Sequence, residues 1–371
     1  MGETEAQDTG GTTSVTKNVQ RVLMTDRQTS VRSLHYLRAI AMILVTYDHV
    51  YPGVYVERGL DIPITFVERY ILWPLSIVQH FGFFGVVIFF LISGYVLLLS
   101  EVQRPVSGYA FAVKRFFRLL PPILLSLVVY HLLRAGVKLV CESNIPMYFE
   151  GNGALWTVKV EVLLYALFVC CLPLIKRRVL LGVLAMLGAN WLICQIGLLI
   201  PALFTLGQTL SYGFYIILGG LVFCIHTGGQ LPGWPDQRGR PLLLVLMAVL
   251  LWYCIVRYNI MAYNPETYNT GNSFGVSAMY AILFFLVFLA AEKRLPYSQF
   301  INTASRYSYG IYLNQLPFRA LLLPVAAELP GGVIAILIVA ASIVVTALYE
   351  NKLAAPCKKM QEIMLSWRLM K

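Results

Sequence analysis

With 371 residues, 58% hydrophobic and only 13% charged, the chain lies far below the roughly one-quarter charge content of soluble domains, which excludes a water-soluble fold. Its net charge of +11 arises from 29 Lys and Arg against 18 Asp and Glu. The basic residues flank apolar blocks and no nucleic-acid motif with interleaved aromatics lies between them, so nucleic acid is excluded as a partner. The mean hydropathy of +0.70 is carried by blocks of roughly 18 to 25 residues, the length that crosses a bilayer as helix, and not by the ~10-residue alternating segments of a barrel. The expected fold class is therefore all-α, a polytopic integral membrane protein of about ten transmembrane helices surrounded by membrane lipids.

Residues 1–33 are polar and lack an apolar signal-peptide core, so a flexible cytoplasmic N-terminal tail is expected, in which Met24 is a candidate native start. Spans are expected at 34–52, 76–99, 118–139, 157–175, 179–197, 203–225, 241–257, 274–291, 307–325 and 331–349. The stretch 63–80 is also apolar, and Pro74 and Gly82 are able to break it into a re-entrant piece. The transmembrane domain is thus 34–350, followed by a basic cytoplasmic C-terminal tail at 351–371. Alternate loops and the two tails hold 21 Lys and Arg against 5 on the other side. The positive-inside rule then puts both termini in the cytoplasm, in a multi-pass protein of the plasma (inner) membrane. The seven cysteines show no C-x-x-C spacing, only Cys141 falls in an expected outer loop, and neither a disulfide nor a metal site is expected. After the tail no polar segment is long enough for a soluble core, so any chemistry belongs to the bundle.

The first span places Arg38, Asp48 and His49 in an otherwise apolar helix, where each is costly. Arg38 and His49 are eleven residues apart, nearly on one face and ~16 Å apart along the axis. One reading is an arginine snorkelling to the inner surface and a histidine in the outer headgroups. The other is a polar seam: a fixed cation for an anionic group, and an imidazole that takes a proton from a hydroxyl. Asp48 points ~100° away from His49 and is expected to act as a packing or interhelical partner. Arg115 and Arg118 share a face at the expected inner boundary of the third span, before Pro121 and Pro122 at the helix start. They fit a phosphate grip and an ordinary basic flank equally. Trp156 suits an interfacial belt, whereas Glu161 near the outer end of the fourth span calls for a partner. His49 is the candidate, against a solvated outer carboxylate.

Five ordered motifs over 34–350 resemble the acyltransferase family three membrane proteins. They are Arg38 with His49, GVVIFFLISGY at 85–95, Arg115 with Arg118, Leu155 and Trp156 with Glu161, and SYGIYLNQLP at 308–317. Gln315 stands where many relatives have histidine, and Val162 follows Glu161 where a second acid is common. The resemblance implies transfer of a small acyl group, most simply acetyl, from acyl-CoA (acetyl-CoA) supplied from the cytoplasm. The acceptor is a hydroxyl of a sugar, glycan or other hydroxylated molecule, and no permanently bound cofactor is required. His49 is the expected base with Glu161 orienting it, and Arg38, Arg115 and Arg118 bind acyl-CoA. Ser93, Tyr95 and Trp156 are candidate acceptor or oxyanion contacts, although a serine–glycine pair such as Ser93–Gly94 also serves close helix packing. Direct transfer and an acyl-histidine intermediate both remain open. A transporter or flippase for a sugar or lipid-linked substrate fits the same intramembrane charges, as does an inactive scaffold, and turnover of the CoA thioester separates them.

Overall fold

A computed structural model describes residues 31–366 apart from 62, 64–65, 67, 73, 75–80, 141–144, 228–239, 263–270 and 327. Most of the expected N-terminal tail, Met24, Cys141, much of 63–80 and the end of the C-terminal tail lie outside the described residues. Within them the chain is helical and contains no strand. The elements are α1 (Arg32–Glu57), α2 (Phe81–Gln103), α3 (Gly108–Val140), the short α4 (Tyr148–Gly151), α5 (Leu155–Arg177), α6 (Val179–Leu199), α7 (Phe204–Ser211) and α8 (Gly213–His226). They continue with α9 (Arg240–Ala262), α10 (Gly271–Ala290), α11 (Gln299–Val325), α12 (Gly331–Leu348) and α13 (Ala354–Ser366). Seven helices or helix runs are long and apolar enough to cross a bilayer: α1, α2, α3, α5, α6, the stretch Pro201–His226 containing α7 and α8, and the stretch from Gly331 through α13. The remaining expected spans fall on shorter apolar stretches in α9 and α10, and on α11, which carries Arg306, Asn314, Gln315 and Arg319. Outward-facing Leu132, Leu139, Val249 and Ile336 are exposed on the isolated chain, as hydrocarbon-facing side chains are.

Helix starts and prolines explain much of the packing. The first N–H groups of α1 have no intrahelical acceptor, and Glu292 supplies both oxygens, to Arg32 N at 2.7 Å and Ser33 N at 2.8 Å. Ser107 Oγ accepts from Ala110 N at 3.2 Å at the start of α3. That helix then runs through Pro121 and Pro122. The expected boundary at 118 is therefore corrected: the prolines sit inside the helix, and Arg115 and Arg118 lie two to three turns into it. Pro317 in α11 has no N–H for the Leu313 carbonyl. Asn152, 2% exposed, donates to that carbonyl at 3.1 Å. The expected outer loop is thus folded inward at this point, and Tyr148 OH donates to Ser126 of α3 at 2.9 Å.

The hub is α2, wedged between α1 and α8. It runs parallel to α8: Phe83 meets Tyr212 and Tyr215, while Tyr95 meets Phe223 and His226. Gly94 lies against the Ile216 carbonyl and Gly219 against the Leu91 carbonyl, so a Cβ at either would overlap backbone. α1 and α11 also run parallel, paired in register through His35–Ser305, His49–Gln315 and Glu57–Arg319. α12 runs the other way, with Gly331 at its start against Tyr55 near the end of α1.

Candidate active site

The parallel pair α1 and α11 forms one wall of a polar seam, and α2, α3 and α5 close it. At the end of the bundle where α1 begins lies a cavity of about 420 Å³ lined by Arg38, Arg118, Arg306, Tyr309, Tyr349 and Glu350 among others. A narrower compartment of about 70 Å³ continues inward, lined by Arg38, Arg118, Ser93, Glu161, Thr157 and Tyr312. Arg38, Arg118, Ser308 and Tyr309 belong to both. Arg118 is exposed to the cavity itself while sitting deep among the surrounding helices. Arg115, one turn earlier, places its guanidinium 5.0 Å from the ring centres of both Phe111 and Tyr165. Those rings hold its planar fork in place by cation–π attraction.

Glu161 faces this arginine cluster, within electrostatic reach of Arg38, Arg115 and Arg118. Ser93 Oγ donates to its Oε1 at 2.7 Å and Tyr165 OH to its Oε2 at 3.1 Å. A carboxylate with two hydroxyl donors and three cations nearby is well compensated. The expected pairing of Glu161 with His49 is therefore corrected: Glu161 lies at the level of Arg38, and the His49 imidazole is served from α11. Its Nδ1 is 2.8 Å from the Gln315 side-chain amide, and Arg319 donates to the His49 carbonyl. Arg319 also pairs with Glu57 at 2.6 Å. Tyr312 links the two levels, since it lines the inner compartment and its ring centre lies 6.4 Å from that of His49.

Two expectations about contacts, those for Ser93 and Tyr95, change with this placement. Ser93 spends its proton on Glu161 and has none to offer an oxyanion. Tyr95, about 200° from Ser93 on α2, turns away from the cavity, and its OH is 2.6 Å from His226 Nδ1. Trp156 packs against Phe90 and Tyr212, with ring centres at 5.9 and 4.5 Å. Asp48 lies against Gly82 of α2.

The residues that sequence reasoning missed are Tyr165, Tyr309, Tyr312 and Arg319, together with the partnership of Gln315. Three of them share one stripe of α11 with Ser308, since 308, 312, 315 and 319 recur at helical spacing. Reading that motif as a helix face would have found them. Tyr165 is one turn after Glu161 on α5, the same signal.

A protein-family model described as an acyltransferase domain matches residues 31–350. No curated protein and no solved structure matches the chain.

Proposed function

Because the chain belongs to acyltransferase family 3, we propose that it is a membrane-bound O-acyltransferase that uses acyl-CoA. It transfers a small acyl group, acetyl in the simplest case, to a hydroxyl of a sugar, glycan or other hydroxylated acceptor. The observation that carries this reading is the placement of Arg38 and Arg118 in the walls of a cavity at one end of the bundle, with the hydrogen-bonded Glu161 in the compartment that continues from it and an imidazole ~16 Å further along α1. CoA has its phosphates at one end and its thioester at the other, and Arg38 and His49 are separated in the same sense. Guanidinium forks suit phosphate, and a bundle interior poor in water favours transfer over hydrolysis of the thioester.

In this mechanism His49 takes the proton of the acceptor hydroxyl, and the oxygen attacks the thioester carbonyl. The tetrahedral intermediate collapses with cleavage of the C–S bond, and the imidazolium returns its proton to the departing thiolate. The products are an ester and free CoA. Glu161 orients the arginines before acyl-CoA arrives, with Ser93 and Tyr165 fixing its two oxygens.

Ten crossings with both ends in the cytoplasm are part of the same reading. In support, α1 and α12 are antiparallel, as the first and last of an even number of crossings are, and Glu350 just past the end of α12 lines the same cavity as Arg38 near the start of α1. The basic residues concentrate on the side where that cavity opens, the side from which cytoplasmic acyl-CoA arrives.

The test is the full-length chain in lipid nanodiscs, given radiolabelled acetyl-CoA and a panel of hydroxylated acceptors. His49→Ala is expected to bind CoA normally and to lose turnover by ~10²-fold or more. Wild-type kcat/KM is expected to rise with pH along an imidazole limb that the variant lacks. A wild type that never consumes acyl-CoA, or a variant that turns over at near wild-type rate, rejects the reading.

A further inference from the structure

Two residues of α11, one helical turn apart, grip residue 49 from both sides. Gln315 reaches the ring of His49, its amide nitrogen placed 2.8 Å from Nδ1, and Arg319 reaches its backbone carbonyl. The neighbouring backbone is shaped for this contact. Pro52 interrupts the hydrogen-bond ladder of α1 at the same turn, and Gly53 leaves the space that the Arg319 guanidinium fills, since a Cβ there would overlap it. Gln315 is fully buried, at 0% exposure, and the amide atom turned away from His49 has no hydrogen-bond partner among the described residues. The amide therefore turns either way without breaking a second bond, and its oxygen and nitrogen are interchangeable at this position.

The two orientations have opposite chemical consequences. With the amide NH2 against Nδ1, that nitrogen is an acceptor and the neutral ring carries its proton on Nε2. With the amide oxygen against Nδ1, that nitrogen carries the proton and Nε2 presents a lone pair. Because Gln315 occupies Nδ1, only Nε2 is left to meet a substrate. We infer that Gln315 is the positioning residue of the reaction: its side-chain oxygen accepts a hydrogen bond from Nδ1–H of His49 and holds the tautomer whose Nε2 is bare and able to take the acceptor's proton. This rests on the reading of His49 as the general base. The other titratable or charged groups placed about His49 are Arg319, Glu57 bound to it, Asp48 on the preceding residue, and Tyr312 across the seam. All are present in both tautomers, so Gln315 is the neighbour whose orientation is tied to the tautomer.

The experiment reads the tautomer directly. The chain has five histidines, so ring-15N-histidine protein in bilayers, compared with His49→Gln, assigns the His49 nitrogens by solid-state NMR without substrate. The expected wild-type spectrum has a protonated Nδ1 and a bare Nε2, and Gln315→Leu is expected to give a mixture of tautomers. Turnover in that variant is expected to fall roughly ten- to a hundredfold with CoA affinity unchanged, the scale of loss for a displaced catalytic group. Gln315→Glu, which is only an acceptor when ionised, is expected to restore activity relative to Gln315→Leu and to move the imidazole limb of the pH profile upward. A wild-type spectrum with the proton on Nε2, or a tautomer unchanged in Gln315→Leu, overturns the inference. Should Gln315→Leu shift the tautomer while turnover stays at wild-type level, the positioning role stands and the general-base reading of His49 falls.

Discussion

The charge on Glu161 is expected to be felt by Ser93, and a double-mutant cycle measures how strongly. In the wild type the Ser93 hydroxyl donates to a carboxylate at 2.7 Å, a charge-assisted bond contributing about 1.5–3 kcal/mol net. Glu161 is half-buried and borders a cavity, so solvent screening argues for the lower half of that range, about 2 kcal/mol for Ser93→Ala. In a Glu161→Gln background the amide keeps the shape and one acceptor, and the remaining neutral bond contributes about 1 kcal/mol. The same Ser93→Ala change should therefore cost about 1 kcal/mol less once the charge is gone, a coupling energy of about 1 kcal/mol. Glu161→Gln alone should cost about 2–3 kcal/mol, because it leaves Arg38, Arg115 and Arg118 less compensated. Reversible unfolding by SDS titration in mixed micelles, followed through the six tryptophans, measures all four proteins. Equal Ser93→Ala costs in the two backgrounds would mean that the hydroxyl does not sense the carboxylate charge, and the proposed role of Glu161 in ordering the arginines would be refuted.

Arg38→Ala and Arg118→Ala should each weaken acyl-CoA binding by about 1.5–3 kcal/mol, roughly 10- to 150-fold in Kd by titration calorimetry. Lysine at either position should recover only part of this, and unchanged affinity in both alanine variants would return the arginines to topological markers. Tags at both termini and a probe at 176–178 should report the cytoplasm, while a membrane-impermeant thiol reagent should label Met147→Cys, exposed by 47%, from the outside only. Cytoplasmic labelling of that position would sink the orientation. Gly219→Val should destabilise the chain by about 1–3 kcal/mol through overlap with the Leu91 carbonyl. A stability equal to wild type in the same SDS titration would disprove the close approach of α2 and α8.

Apolar blocks and the depth of polar residues were legible because they depend on the local chain alone. The helices α1, α5, α6 and α12 lie within a few residues of their expected positions, since each is one continuous apolar run. The start of α3 was misplaced because Pro121 and Pro122 read as a start signal, and nothing local reveals that Ser107 opens the helix more than a dozen residues earlier. Glu161 was assigned to His49 on depth alone, but partnership also depends on which way a helix face points. The arrangement of α1, α2, α5 and α11 aims Glu161 at Ser93 and the arginines. The Gln315 contact was out of reach for the same reason: it joins residues 266 positions apart, and no pattern within either helix names the other.

That separation shapes how the protein is made. α1 leaves the ribosome among the first helices, and its partner α11 among the last. At about 5–20 residues per second, the 266 positions from His49 to Gln315 take roughly 13–53 s to synthesise. Throughout that interval Arg38, Asp48 and His49 are in or beside the bilayer without α11, where unpaired ionisable groups are costly. The nascent chain must hold α1 at the edge of the translocation machinery, or shield it with α2, until the ninth expected span arrives. Chains truncated before residue 299 should therefore carry an α1 that is extractable, poorly inserted and open to proteolysis. In the cell, the polar seam would form at the end of biosynthesis, and a stalled or clipped product would be removed by quality control before that seam was complete.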